Sequence, residues 1–326
     1  MSGDQTQPHA ALASEDELIS VVIVNYNRCA DLRRALLSVG RQDYPSVEII
    51  VVDNASTDGS IEMLAREFPQ VRTIASAENL GMDGYSVGFR ESRGRYIFQM
   101  DNDSEMPEPT VLTEVARRFR EGPANQGVVA TRVRDLVSGD PDIAELRRED
   151  QRVGPLNLRH YHSGGVGFLR SALDSVGYYN RDVFLYGAEN FLEIKFLAAG
   201  FAVLYYPEIL MLHRPSPTAR STRFLYYTVR NSLWYLRRYA TGWQKARYVP
   251  LLLLYNFGQG IWKRQPGAYF RAVRDGLGML PASIPALSGA NNEDFTARVE
   301  RVGQQFGAGN LWKAITSRLR PMDKSL

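Results

Sequence analysis

Four times between residues 19 and 105 the chain passes from a β-branched apolar run into polar residues, and three of these runs lead on into helical spacing. The first, ISVVIVNYN (19–27), precedes Asp31–Arg41, where Leu32, Ala35, Leu36 and Val39 share one side. The second, VEIIVVDNASTDGS, puts Asp53 at the end of an apolar strand ahead of a helix over 60–68, which Pro69 stops. VRTIA is the third, and it leads through Asn79-Leu80-Gly81 into a further helix; RYIFQMDNDSEMPEP is the fourth, and its apolar residues give way to Asp101, Asn102 and Asp103. Strands alternating with helices predict an α/β fold, a mostly parallel sheet covered on both faces. Ligands of such sheets bind beyond the carboxyl ends of the strands. Asn25, Asp53 and Asp101 to Asp103 all occupy such ends, so one crevice is expected to collect them.

Past Gly127 the pattern loosens. GVVATRV reads as a strand, Asp135 to Arg159 as a polar loop, and HSGGVGF as the return of order. A helix is expected over Ala188 to Ala199, with Leu192, Phe196 and Ala199 on one side and Gly200 at its end, followed by the strand FAVLYYP. The expected organisation is a solvated tail over 1–17, a sheet domain over 18–215 and a basic, aromatic, helical region over 216–326. A chain of 326 residues with 44% hydrophobic residues can bury a sizeable core. Cys29 is the single cysteine and forms no intramolecular disulfide. The first basic residue is Arg28, so the charged start of a signal peptide is missing. The longest apolar stretch, Val249 to Ile261, is interrupted by Asn256, Gly258, Gln259 and Gly260, well short of the roughly 20 residues that span a bilayer. A cytoplasmic protein without a transmembrane helix is expected. No G-x-G-x-x-G follows the first strand, which argues against a dinucleotide-dependent dehydrogenase.

Two carboxylates one residue apart on a turn can hold Mg²⁺ or Mn²⁺ and leave open positions for phosphate oxygens. Asp101 and Asp103 have that spacing. An Asp-Asn-Asp turn after a strand is also ordinary turn chemistry, with the side chains capping their own backbone.

The segments VVIVNYNR, VEIIVVDNASTDGS, ENLG, GRYIFQMDNDSEM and LYGAEN…AAGFAVLYYPEILMLHR follow one another between residue 19 and about residue 240. In that order they resemble the family-2 inverting glycosyltransferases of the GT-A fold, and most of all rhamnosyltransferase-like bacterial members. The resemblance implies a nucleotide-diphosphate sugar donor, carrying UDP or dTDP, and a hydroxyl acceptor, a glycan or a lipid-linked envelope precursor. It implies Asn25, Tyr26 and Asn27 against the nucleobase, Asp53 accepting a hydrogen bond from it, and Asn79 and Asn102 on the donor side. Asp101 would meet ribose and metal, Asp103 the metal, and His213 would close a Mn²⁺ or Mg²⁺ site; a solvated loop histidine is the alternative for His213.

The family's Gly-Glu-Asp motif precedes a helix ending in Ala-Gly, and counting back from Gly200 sets Glu189 at the position of the catalytic base, with Ala188 in place of the usual glutamate. The shifted alignment leaves Asn190 there, and an amide cannot take a proton. Stabilisation of the first helical turn is the plain alternative for Glu189. Ser86 stands where the family commonly has asparagine, so donor contacts are expected to differ there. His160, His162, Ser163, Gly164 and Gly165 fall in a segment the resemblance sets beneath the donor sugar, where glycine backbone can approach a substrate; a packed or solvated residue is the alternative for His162.

From Arg214 to Arg274 the chain carries 12 of its 39 basic residues and no acidic one, leaving 27 basic against 36 acidic residues elsewhere. Leu225, Val229, Leu233 and Leu236 follow helical spacing while Arg223, Arg230 and Arg237 recur every seventh residue, and 13 aromatic residues lie between Phe224 and Phe270. An anionic membrane surface is one expected partner of this mixture, and a helical lid on the sheet is the alternative. No groove-reading motif accompanies the charge, so nucleic acid is not expected. Two other functions remain open: a sugar nucleotidylyltransferase, disfavoured because NYNRCADL is not a glycine-rich basic loop, and a non-catalytic nucleotide-sugar-binding protein, suggested by the altered acid motif.

Overall fold

A computed structural model describes residues 17–136, 161–214, 222–287 and 293–304. Eight strands, β1 (Ile19–Asn25), β2 (Val47–Asp53), β3 (Arg72–Ala75), β4 (Tyr96–Asp101), β5 (Ser104–Glu105), β6 (Gln126–Asp135), β7 (Val166–Leu169) and β8 (Ala202–His213), form one sheet in the order β3-β2-β1-β4-β7-β6-β8-β5. The first four are mutually parallel, β7 runs antiparallel between β4 and β6, and β5 runs antiparallel to β8. This is the expected mostly parallel α/β sheet.

Strand alternation sends successive residues of β1 to opposite faces. Val21 and Ile23 pack with Leu32 and Leu36 of α1 (Cys29–Val39), Met63 of α2 (Ser60–Glu67) and Leu112 of α4 (Val111–Glu121). Val22 packs on the other face with Tyr85 and Phe89 of α3 (Asp83–Glu91). A Cβ on Gly88 would lie 2.4 Å from Val22 Cγ1, so glycine there lets α3 sit directly on β1. Because the chain goes outward from β1 to β3 and then returns past β1 to β4, α3 falls on the face opposite α1 and α2. That reversal opens a crevice at the carboxyl ends of β1 and β4.

Two element boundaries differ from the sequence reading for identifiable reasons. α1 begins at Cys29 because Asp58, in the next loop, accepts the Cys29 N–H at 2.7 Å, a cap that no local pattern displays. β8 continues through Pro207 to His213 because the ladder with β6 shifts register between Thr131 and Arg132, which leaves the N–H-less proline outside the pairing. The tail read over 1–17 lies outside the described residues except for Glu17. Asp135 ends β6, and most of the loop read over Asp135–Arg159 lies outside them, as does His160.

The C-terminal helices are α7 (Thr222–Tyr239), α8 (Gly242–Trp262), α9 (Pro266–Leu277) and α10 (Glu293–Gln304), joined to the sheet by α5 (Arg170–Val176) and α6 (Ala188–Ala198). Leu225, Val229 and Leu233 of α7, Leu252 of α8 and Val299 of α10 belong to the same apolar core as Phe191 and Leu192 of α6. The arginine row expected as a basic face of α7 is largely occupied. Arg230 lies over the rings of Tyr227 and Trp234 and donates to the Asp182 carbonyl at 3.0 Å. Arg237 donates to the carbonyls of Gly276 and Gly278, at the end of α9, where helix carbonyls lack intrahelical partners.

One ion pair ties α10 to α6. Arg298, 1% exposed, places a guanidinium nitrogen 2.8 Å from Glu193, 0% exposed, and donates to Asn190 Oδ1 at 2.5 Å. Removing one member of a buried pair strands the other charge, at about 3–5 kcal/mol. Arg298→Ala is therefore expected to lower the unfolding free energy by about that amount in urea titration, with the double change Arg298→Met and Glu193→Leu recovering most of it. A single-variant loss below about 1 kcal/mol would show that the pair is not sealed from water.

Candidate active site

Parallel register sets the site's first row. Asn25 pairs with Asp53 across β1 and β2, and Val24 pairs with Asp101 across β1 and β4. Asn25, fully buried, donates to Asp53 Oδ2 at 2.9 Å and accepts at its own Oδ1 from Asn102 at 2.8 Å. Asp53 Oδ1 accepts the Ser56 N–H at 2.7 Å. Asn27, at a φ of 51°, accepts the Thr57 N–H at 2.7 Å and donates its own N–H to Ser56 Oγ at 2.9 Å. The loops after β1 and β2 are thus knitted together, and Tyr26, 43% exposed, is left at the surface between them. Asn79 accepts the Gly81 N–H at 2.9 Å and shapes the entry to α3.

Asp101 and Asp103 sit differently although they share one turn. Asp101 accepts a hydrogen bond on each oxygen, from the Tyr85 hydroxyl at 2.7 Å and from Ser163 Oγ at 2.8 Å. Asp103 faces cations: Arg28 Nη1 lies 2.9 Å from its Oδ2, and His213 Nε2 lies 3.2 Å from its Oδ1. β5 brings His213 there, since Ser104 pairs with His213 across the antiparallel ladder and the Arg214 N–H donates to the Asp103 carbonyl at 2.8 Å. Asp135 fixes the other ring nitrogen of His213 at 2.7 Å. His162 lies beside it, tilted by 58°, with ring centroids 5.2 Å apart.

The electrostatics follow from two neighbouring carboxylates. Burial and the Asp103 charge raise the Asp101 pKa, against the opposing pull of His162, Tyr85 and His213. Burial pushes the His213 pKa down, but the hydrogen bond and charge of Asp103, joined by Asp135 and Asp101, outweigh it and raise the pKa to about 9. The imidazolium and the Arg28 guanidinium thus supply positive charge to a cluster that demands it. One ligand atom from each of Asp101, Asp103 and His213 lies within 4.8 Å of the others. Two carboxylates and an imidazole form a donor set that suits a divalent cation, so these residues fit a metal site.

Glu189 lies half-buried in the first turn of α6, behind Gly187 at a φ of 80°. Its charge acts on Tyr161 and Tyr179. Tyr179 donates to Gln99 at 2.8 Å, and Gln99 reaches the Ser163 carbonyl at 3.5 Å, so a polar chain links the surroundings of Glu189 to Asp101. Asn190, the next residue of α6, is turned to Arg298, from which its Oδ1 accepts at 2.5 Å. A Cβ on Gly164 would lie 2.8 Å from Ser104 Oγ and one on Gly165 2.4 Å from Met211 Cγ, so glycine at both lets this turn pack directly on β5 and β8. Ser86 is fully buried inside α3 and presents nothing to a donor. Arg28, Tyr85 and Asp135 are not candidates on sequence grounds, whereas Ser163 falls in the segment expected beneath the donor sugar. Arg28 ends the VVIVNYNR segment and Ser163 precedes the paired glycines, but nothing local marks Tyr85 or Asp135.

A mostly parallel sheet whose strand ends gather an Asp-Asn-Asp turn, met by a histidine from the last long strand, belongs to the GT-A class of folds. Residues 20–177 match the family model described as Glycosyl transferase family 2. It is similar to the succinoglycan biosynthesis protein ExoO of Rhizobium meliloti, 33% identical over 155 residues that cover 46% of this chain and 43% of that protein. An uncharacterised glycosyltransferase of Nostoc sp. is 35% identical over 107 residues, 31% of this chain and 33% of that one. The chain thus spans less than half the length of these curated relatives. Among solved structures, a mannosyltransferase of Pyrobaculum calidifontis in complex with GDP-Man and Mn²⁺ superposes with a TM-score of 0.54 at 18% identity, covering 94% of this chain and 91% of that one. TarS residues 1–349 of S. aureus in complex with UDP superposes at 0.52 and 15% identity, covering 90% and 92%. These two likenesses show the fold.

A histidine whose folded pKa lies above its unfolded value stabilises the fold fully below the unfolded pKa and loses that contribution as pH rises through the folded one. For His213 the window runs from 6.5 to about 9. In metal-free buffer, the stability gap between wild type and His213→Gln is expected to be widest below that window and to close above it. A gap independent of pH, measured by chemical denaturation, would show that His213 does not carry the charge.

Proposed function

We propose that this protein is an inverting glycosyltransferase that moves a hexosyl group from a UDP- or dTDP-sugar to a hydroxyl of a glycan or lipid-linked envelope precursor, in the cytoplasm at the inner face of the plasma membrane. The observation that carries the reading is the convergence of Asp101, Asp103 and His213 at the carboxyl ends of a family-2 sheet. The similarity to a succinoglycan biosynthesis protein supports a polysaccharide or related acceptor. The neighbours in complex with GDP-Man and Mn²⁺ or with UDP support a nucleotide-linked donor.

In this reading Asn25, Tyr26, Asn27 and Asp53 line the nucleobase side, and Asn79, Asp101 and Asn102 border the rest of the nucleoside. Asp101, Asp103 and His213 would hold Mn²⁺ or Mg²⁺, which when bound supplies Lewis-acid neutralisation of the leaving diphosphate. Arg28, already paired with Asp103, adds a guanidinium beside the same phosphates. The Glu189 carboxylate takes the proton of the acceptor hydroxyl as that oxygen attacks the anomeric carbon from the face opposite the diphosphate. The new C–O bond forms as the bond to the β-phosphate oxygen breaks, and its electron pair leaves with the nucleoside diphosphate. A single displacement inverts the anomeric centre. His162 and the Gly164-Gly165 turn border the sugar side through their contact with His213 and Ser104.

Two variants separate binding from chemistry. Glu189→Gln is expected to keep nucleoside diphosphate and Mn²⁺ binding, read as a thermal shift, while sugar transfer falls about 10²–10⁴-fold. Asp103→Asn is expected to lose the metal-dependent part of the thermal shift. Unchanged turnover in Glu189→Gln would remove the base assignment, and no thermal shift of the wild type with any nucleoside diphosphate and metal would remove the reading as a whole.

A further inference from the structure

α8 is packed inside out. Its buried row is Gln244, Tyr248, Leu252, Asn256 and Gly260, so polar residues and a glycine take much of the inward face. Asn256 satisfies itself by donating to the Leu252 carbonyl at 2.9 Å, and Gln244 is held by the Thr241 capping box and Glu300. The outward row, at alternating spacings of three and four residues, is Trp243, Arg247, Pro250, Leu254, Phe257 and Ile261. Trp243 is 73% exposed, Leu254 57% and Ile261 55%. At 1.5 Å per residue the stripe is about 27 Å long. It continues onto α9, because the Phe257 and Phe270 rings lie 6.4 Å apart, and Trp262, Leu277 and Met279 are exposed along the same two helices and the turn after α9. A contiguous exposed apolar face of this kind marks a surface that meets something.

The charge around the stripe says what. α8 carries no acidic residue, and Arg264 and Arg271 are exposed beside the apolar row, while Arg247 on it lies 3.9 Å from Glu300. A second copy docked by two-fold symmetry would set these arginines against themselves. An anionic bilayer pairs with them instead, and Trp243 and Trp262, at the two ends of α8, are the side chain best suited to the headgroup layer. Among the described residues no helix is long and apolar enough to cross a membrane, so the geometry is that of a helix lying on one.

We infer that the outward face of α8 and α9 is a docking surface for an anionic lipid bilayer, with Trp243, Leu254, Phe257 and Ile261 inserted at the acyl boundary and the flanking arginines on lipid phosphates. The inference deepens the proposed function, since a lipid-linked acceptor is met at such a surface, but it stands on the helices alone. Arg298 of α10 ties this helical layer to Asn190 and Glu193 of α6, the helix that carries Glu189.

The test uses the full chain and vesicles of phosphatidylcholine, with and without phosphatidylglycerol, at low ionic strength. Wild type is expected to co-sediment with the anionic vesicles only, with a blue shift of tryptophan fluorescence and release by salt. The triple variant Leu254→Glu, Phe257→Glu, Ile261→Glu is expected to lose binding while its circular dichroism and its metal-dependent nucleotide thermal shift stay at wild-type values. Arg264→Gln and Arg271→Gln are each expected to weaken binding about fivefold. Absence of wild-type binding to anionic vesicles, or full binding by the folded triple variant, would overturn the inference. So would a wild-type dimer that the triple variant dissociates without any vesicle binding. Vesicle binding without any nucleotide thermal shift would leave this inference standing and remove the proposed function, and the reverse result would do the opposite.

Discussion

Two carboxylates on one turn, one of them at the buried end of a central strand, repel each other and need positive charge nearby. Much of the site answers that constraint. Arg28 and the charged His213 face Asp103, Asp135 holds His213 from behind, and Tyr85 and Ser163 occupy the two oxygens of Asp101. These groups come from five separate stretches of chain, and the sheet is what assembles them. Parallel register sets Asp101 beside Asn25 and Asp53, and the short antiparallel ladder between β5 and β8 delivers His213. The division of labour between the aspartates follows: Asp101 is fixed by hydroxyl donors, while Asp103 faces the cationic side chains of Arg28 and His213.

The strand-to-helix alternation made the sheet and the strand-end cluster legible, because period and polarity there are local properties of the chain. Asn25, Asp53, Asp101, Asn102 and Asp103 could be assigned to one crevice from position alone, and His213 from the family resemblance. Tyr85, Asp135 and the Arg28–Asp103 pair were not legible, since each depends on which elements the fold brings face to face. The same holds at Asn190, whose amide looks available in sequence and is engaged by Arg298, 108 residues further on. Gly164 and Gly165 pack closely on Ser104 and Met211, a tertiary fit that no local pattern displays.

In the basic aromatic region, sequence spacing and packing single out different faces. The sevenfold arginine spacing of α7 resembles a free charged face, yet Arg230 and Arg237 satisfy carbonyls of the neighbouring segments. The exposed apolar row lies instead on α8, whose pattern is inverted relative to a helix in a lone globular domain. Composition located the region, and only packing located the face.

The central claim is that Asp101, Asp103 and His213 hold a divalent cation against a nucleoside diphosphate. Anomalous diffraction from crystals grown with Mn²⁺ and UDP tests it most directly. The account predicts a manganese peak bounded by the two carboxylates and the imidazole, with the diphosphate on its open side and Arg28 released from Asp103. A nucleotide bound at the strand ends without manganese, while Arg28 and His213 stay on Asp103, would contradict it.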